Sequence, residues 1–175
     1  MFRRLTRPAQ EANNPGMSWP VTVRVTQVLG ASAERVFDAW ITPAQASRFL
    51  FATRTGNVMQ CEIDPRVGGK FFVTDRRPQA EGEDSVIDVV HRGTYVELDR
   101  PTRLSFDFSV MHMGDETRVE IRIEPQGPNA CELTLTHDLG DDDEARAMQE
   151  AARKGWTTML ANMEKQLFPK RIAVS

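Results

Sequence analysis

Chemistry in this chain would have to come from three histidines, two cysteines and a small number of acidic side chains set among apolar runs. His137 continues the alternation Cys131, Leu133, Leu135, so a strand carries it on the same apolar face. An imidazole placed there, with a pKa near neutrality, could move a proton or could serve as a hydrogen-bonded structural group. Asp75, at the start of a polar stretch, is the second candidate acid or base. His91 stands beside Arg92 on another strand-like segment, and either face is open to it. His112, between Met111 and Met113, offers soft ligands of the kind copper takes, but one short triplet without further ligands is a weak site. No zinc-ligand spacing is present, and no metal or cofactor is expected.

Nucleophilic chemistry has less support. Ser, His and Asp all occur, but no nucleophile-elbow sequence accompanies them. Cys61 and Cys131 fall on apolar-facing strand positions, where a thiol packs as a small hydrophobe. Free thiols in a reducing compartment are expected rather than a disulfide. Gly68 and Gly69 lack the glycine-lysine-hydroxyl spacing of a phosphate loop, and a strand follows where a helix is required.

Composition narrows the partner. Lys and Arg number 22 against 25 Asp and Glu, a net charge of -3, which disfavours a phosphate-rich partner such as nucleic acid. No apolar run reaches the roughly 20 residues of a membrane-spanning helix, and the N-terminus lacks the apolar region of a secretory signal, so a cytoplasmic protein with no membrane insertion is expected. One domain over residues 19–168 is the economical organisation, with a flexible arm over 1–18 and a tail over 169–175.

The elements that must position these groups are legible in the periodicity. Val21, Val23 and Val25 alternate with Thr22, Arg24 and Thr26 as a half-buried strand. Ser32 caps a helix over 33–40 whose Val36, Phe37 and Trp40 share a side. Thr42, Pro43 and Gln45 read as a capping box opening a second short helix toward Leu50. From Met59 onward the chain is nearly all strand, with Met59, Cys61 and Ile63 alternating with Gln60, Glu62 and Asp64. The segment CEIDPRVGGKFF from Cys61 to Phe72 reads as strand, turn, strand, with Gly68 and Gly69 permitting a tight reversal or bulge. The charged run Asp75 to Asp84 is too polar for a core and reads as the tip of a long hairpin, which could act as a lid. Strands follow through Val86–Leu98, Leu104–Val110, Val119–Ile123 and Cys131–His137. Glu97 with Arg100 and Arg103 reads as a strand-end ion pair. The last helix opens on Asp141–Glu144 and carries the stripe Ala145, Met148, Ala152, Gly155, Trp156, Met159, Met163 and Leu167, with Gly155 set for close helix-to-sheet contact.

Strand, two short helices, about six antiparallel strands and a long C-terminal helix is an α+β order similar to the helix-grip fold of START-related lipid-transfer domains and birch-pollen-allergen relatives. Within that SRPBCC superfamily the chain resembles the branch named after the activator of the heat-shock-protein-90 ATPase. The resemblance is carried by ASAERVFDAWITPAQASRF (31–49), IDPRVGGKF (63–71), GTYVELDRPTRLSFDF (93–108), CELTLTHDL (131–139) and GWTTMLANMEKQL (155–167). Where relatives commonly place a tryptophan pair after the second helix begins, this chain has Phe49, Leu50 and Phe51.

The resemblance implies a curved antiparallel sheet gripping the long helix, with a cavity between them for a small hydrophobic or amphipathic molecule. Its expected lining is Trp40, Phe49, Phe71, Phe106, Phe108, His137, Trp156 and Met159, although the same residues could simply fill a core. Two other functions use this architecture. A cyclase or dehydratase would employ His137 or Asp75 in the cavity, and an interaction module would stimulate a chaperone ATPase through its outer surface. A protein partner or a homodimer is compatible with either.

Overall fold

The computed structural model describes residues 19–80, 82–111 and 113–169, so the expected arm, His112 and all but the first residue of the expected tail lie outside the described residues. The elements run β1 (Val21–Leu29), α1 (Ala33–Ile41), α2 (Pro43–Ala46), β2 (Asn57–Ile63), β3 (Lys70–Pro78), β4 (Val86–Asp99), β5 (Arg103–Val110), β6 (Met113–Pro125), β7 (Cys131–Gly140) and α3 (Asp143–Leu167). The strands form one antiparallel sheet in the order β1-β7-β6-β5-β4-β3-β2. Only β1 departs from sequential neighbours: it pairs β7 and so closes the far edge. The helix-grip expectation holds.

Alternation sorts the two faces. Val119, Ile121 and Ile123 of β6 and Cys131, Leu133 and Leu135 of β7 are fully buried, while Arg118, Arg122 and Glu124 stay on the outer face. Arg118 pairs with Asp107, and Arg103 reaches both Glu97 and Glu120. Arg100 goes instead to Asp38 of α1. The helix α3 packs chiefly on β1 and β7, with Trp156, Leu160 and Met163 buried beneath it. Its N-cap Asp142 accepts from the Ala145 amide at 2.7 Å, and Asp143 and Glu144 lie at the positive end of its dipole.

Several local expectations need correcting. The helix α2 stops at Ala46, and its N-cap Thr42 makes no side-chain cap. The hydroxyl donates back to the Asp38 carbonyl at 2.7 Å instead, because Thr42 also ends α1 and a local carbonyl four residues back is within reach. Met148 is 44% exposed and Leu160 takes a buried place in the stripe. Gly155 makes no tight contact, since an added Cβ would meet only Met159 Cε at 3.9 Å. Met59 is exposed because the β2–β3 register slips between Val58 and Gln60, turning it off the inner face. The strand β3 runs on to Pro78, so Asp75 is fully buried rather than at a hairpin tip.

The glycine turn between β2 and β3 has a tertiary purpose. Gly68 takes φ of 81°, its amide donates to the Tyr95 carbonyl at 2.8 Å, and the Tyr95 amide donates to Gly69 O at 2.9 Å. Gly69 is required by crowding: a Cβ there would lie 2.2 Å from the Asp64 carbonyl oxygen. The turn thereby docks on β4 and aligns the inner face of β3 with that of β4.

Candidate functional site

Antiparallel register brings the inward side chains of β3, β4, β5 and β7 into one aromatic wall. Phe71 opposes Gly93, Tyr95 opposes Phe106, and Gly93 opposes Phe108. Gly93 is where the Phe71 ring lies flat against the sheet, because a Cβ at that position would come within 2.4 Å of the ring. Phe71 and Phe106 meet edge to face at 5.2 Å, and Phe106 and Phe108 at 5.9 Å. Trp156 of α3 closes on Phe108 at 6.1 Å.

Phe51 completes the cluster. It follows α2 in a left-handed backbone conformation, φ 54°, which strains a bulky residue and turns its ring inward. The ring stacks on His91 at 4.1 Å and 5° between planes, and touches Phe108, Trp156 and Phe71 at 5.2, 5.7 and 6.3 Å. Its amide donates to Met159 Sδ at 3.4 Å. Of the eight expected lining residues, Phe71, Phe106, Phe108, His137 and Trp156 thus form one network with Phe51, and Met159 borders it. Trp40 and Phe49 make a separate edge-to-face pair at 5.0 Å. All but Met159 are buried. Two surface depressions, of about 550 Å³ lined by Glu62, Arg66, Lys70 and Phe72 and of about 400 Å³ lined by Arg35, Arg48 and Phe168, contain none of the eight.

The expected lining took Phe49 from the triplet Phe49, Leu50 and Phe51 and did not include Phe51, which the structure places in the aromatic cluster. The direction of its ring depends on one left-handed residue, which no apolar period reports.

Polar groups enter this interior at two places. His137 Nδ1 lies 2.9 Å from Trp156 Nε1, and its Nε2 lies 2.8 Å from Thr117 Oγ1. An indole N–H only donates, so Nδ1 is the acceptor and the ring proton sits on Nε2, which donates to Thr117. Burial holds the pKa down to about 4 despite the opposing charge of Asp138. His137 is therefore a neutral imidazole with both nitrogens engaged, an arrangement that fixes α3 on β7 and leaves no free lone pair for a substrate proton.

The second place lies on β3 and β4. His91 is buried under Phe51, and its Nδ1 has no partner among the described residues. Burial, with the Arg77 charge adding to it, lowers its pKa to about 4 against the opposing backbone carbonyls of Val73 and Val89. Asp75 accepts at Oδ2 from the Thr53 hydroxyl at 2.8 Å, while Oδ1 is buried without a partner. Cys61 and Cys131 are free, and burial pushes both thiols up to about 11, away from nucleophilic use at neutral pH.

A single antiparallel sheet closed on one long helix around an aromatic interior defines a helix-grip protein, the architecture of small-molecule binders and of chaperone activators alike. Residues 30–167 match the family described as Activator of Hsp90 ATPase homolog 1-like protein, and the chain belongs to that family. No curated protein matches it. Among solved structures it is similar to CV1439 from Chromobacterium violaceum, 24% identical over 86% of this chain and 100% of that one, with a TM-score of 0.71. A Rhodobacter sphaeroides protein is 20% identical over 84% and 92%, TM-score 0.70. An HSP90 activator from Plasmodium falciparum is 20% identical over 86% and 99%, TM-score 0.64. At these identities the likeness is one of fold. No helix among the described residues is long and apolar enough to cross a membrane.

Proposed function

We propose that this protein binds a small hydrophobic or amphipathic molecule between the inner face of the sheet and α3. The observation that supports it is the aromatic wall of Phe71, Phe106, Phe108 and Trp156, into which a single strained side chain, Phe51, projects from a loop. An ordinary core has no need of a left-handed phenylalanine. Here the wedge occupies ring-shaped space that a ligand of similar shape fills when the loop moves. Phe71, Phe106, Phe108, His137, Trp156 and Met159, with Phe51 added, form the lining, while Trp40 and Phe49 pack as a separate pair. The test is denaturing extraction of protein purified from its own host, followed by mass spectrometry. A stoichiometric apolar molecule that raises the melting temperature when added back is the expected result. A protein that carries nothing and gains no stability from any apolar ring compound overturns the reading.

A second reading, stimulation of a chaperone ATPase, has support in the family and in the likeness to the Plasmodium falciparum HSP90 activator. It would use the outer surface and leave the interior closed. An Hsp90 ATPase assay that shows no rate increase with saturating protein removes it.

A further inference from the structure

The ring that completes the aromatic wall belongs to a segment without regular structure, residues 47–56 between α2 and β2. Phe51 is buried there, while the five residues after it are half-buried or exposed. On the helix side the Phe51 amide donates to Met159 Sδ at 3.4 Å. On the sheet side Thr53 Oγ1 donates to Asp75 Oδ2 at 2.8 Å, and Asp75 is 0% exposed. Gly56 completes the closure. A Cβ at that position would fall 2.4 Å from both Thr53 Oγ1 and Asp75 Oδ1, so the segment packs against the carboxyl because this residue has no side chain.

The closed arrangement carries costs of its own. Phe51 holds φ of 54°, a left-handed conformation that strains a bulky residue. Asp75 Oδ1 is buried with no hydrogen-bonding partner among the described residues, and a carboxyl oxygen in that state favours any movement that brings water to it. Two gains oppose these costs: burial of the Phe51 ring, and the Thr53 hydrogen bond. The second is a single hydroxyl, removable without altering any residue of the aromatic wall.

We propose that residues 51–56 form a lid over the aromatic interior and that the Thr53–Asp75 hydrogen bond is its latch. With the bond made, Phe51 stays in the wall; when it breaks, the segment lifts, water reaches the Asp75 carboxyl and the ring withdraws. Thr53 acts through Phe51 and is a positioning residue. This inference rests on the binding reading above and names the motion that admits the ligand.

His91 reports the lid directly, because the Phe51 ring lies parallel to its imidazole at 4.1 Å and shifts the imidazole proton resonances upfield. His137 contacts Phe108 and Trp156 and serves as the control. Thr53→Val, similar in shape but without the donor, is expected to raise the open population about tenfold. The His91 resonances then move downfield, His137 stays in place, and amide exchange at Phe51 and Ala52 quickens by the same factor. Thr53→Ser keeps the hydroxyl and is expected to match the unaltered protein. If Thr53→Val does not fold, Gly56→Ala, which forces a Cβ against both latch atoms, should move His91 the same way. A His91 signal that stays in place, or exchange that quickens equally in β6 and β7, overturns the latch. Toluene, titrated by calorimetry into the full chain, tests the coupling to binding, and its apparent affinity should rise about tenfold in Thr53→Val. An unchanged affinity overturns the lid's role at the site. Toluene bound by neither protein, with His91 displaced as expected, overturns the binding reading and leaves the latch standing.

Discussion

Acid should unfold this protein in a pH range set by its buried histidines. His137 and His91 each have a pKa of about 4 when folded, against 6.5 for an unrestrained imidazole. Above pH 7 both the folded and unfolded chains hold these rings neutral, and stability does not depend on them. Below 6.5 the unfolded chain takes up a proton that the folded chain refuses, so stability falls until the pH reaches about 4, where both forms are charged. At pH 5 the unfolded state is favoured by about 2 kcal/mol per histidine, or about 4 for both, a large share of the roughly 5–15 that holds a domain together. Carboxylates act lower down. Asp38, Asp107 and Glu120 are held below their ordinary range by hydrogen bonds from Arg100, Arg118 and Arg122, so their contribution is lost only as the pH falls below about 4.5. Urea unfolding followed by tryptophan fluorescence at pH 7 and pH 5 measures the difference. In His137→Gln, whose amide can still accept from Trp156 and donate to Thr117, the loss between the two pH values should shrink by about 2 kcal/mol. An unchanged loss, or a folded His137 resonance titrating near 6.5, would refute the assignment of a buried neutral ring.

Three other substitutions test the packing around the site. Trp156→Phe removes the donor that His137 Nδ1 accepts from; stability should drop by about 1–3 kcal/mol, and the His137 titration should move up from about 4, as read by urea midpoints and histidine NMR. Gly93→Ala forces a Cβ against the Phe71 ring at 2.4 Å and the Asp107 carbonyl at 2.6 Å; because a backbone atom cannot step aside, a loss of about 1–3 kcal/mol is expected in thermal melts. Gly155→Ala should raise stability by about 0.5–1 kcal/mol, since the new methyl meets only a flexible methionine tip and the helix interior loses a glycine; a drop would show a tight contact there.

The sheet was legible because its signal is local. Strict alternation in β5, β6 and β7 reports which face is buried, and register then follows from short connections. The inward placement of Phe106, Phe108 and His137 on those strands was legible for the same reason. Asp75 was named as a candidate acid or base, but its place on the buried face of β3 was not read, because charge and proline nearby outweighed its position two residues beyond Val73; Thr53, distant in sequence, donates to the buried carboxyl. Phe51 escaped through its backbone angle, and Met59 through a slipped register. Each miss falls where a tertiary contact, a single backbone angle or a register slip, and not the apolar period, decides the placement. Two of the three lie where the aromatic wall meets polar atoms.

That coincidence bears on how a closed interior can bind. Any ring entering the wall competes with Phe51, and exposing a buried phenylalanine costs about 2–3 kcal/mol. If that is the opening cost, the receptive form makes up roughly 3% to under 1% of molecules, and the apparent affinity of a purely apolar ligand is weakened about 30- to 150-fold. The strain at Phe51 lowers the cost, because the left-handed residue relaxes when its ring leaves. On the proposed reading, a ligand must therefore gain more from the aromatic wall than the cost of displacing Phe51 before it binds.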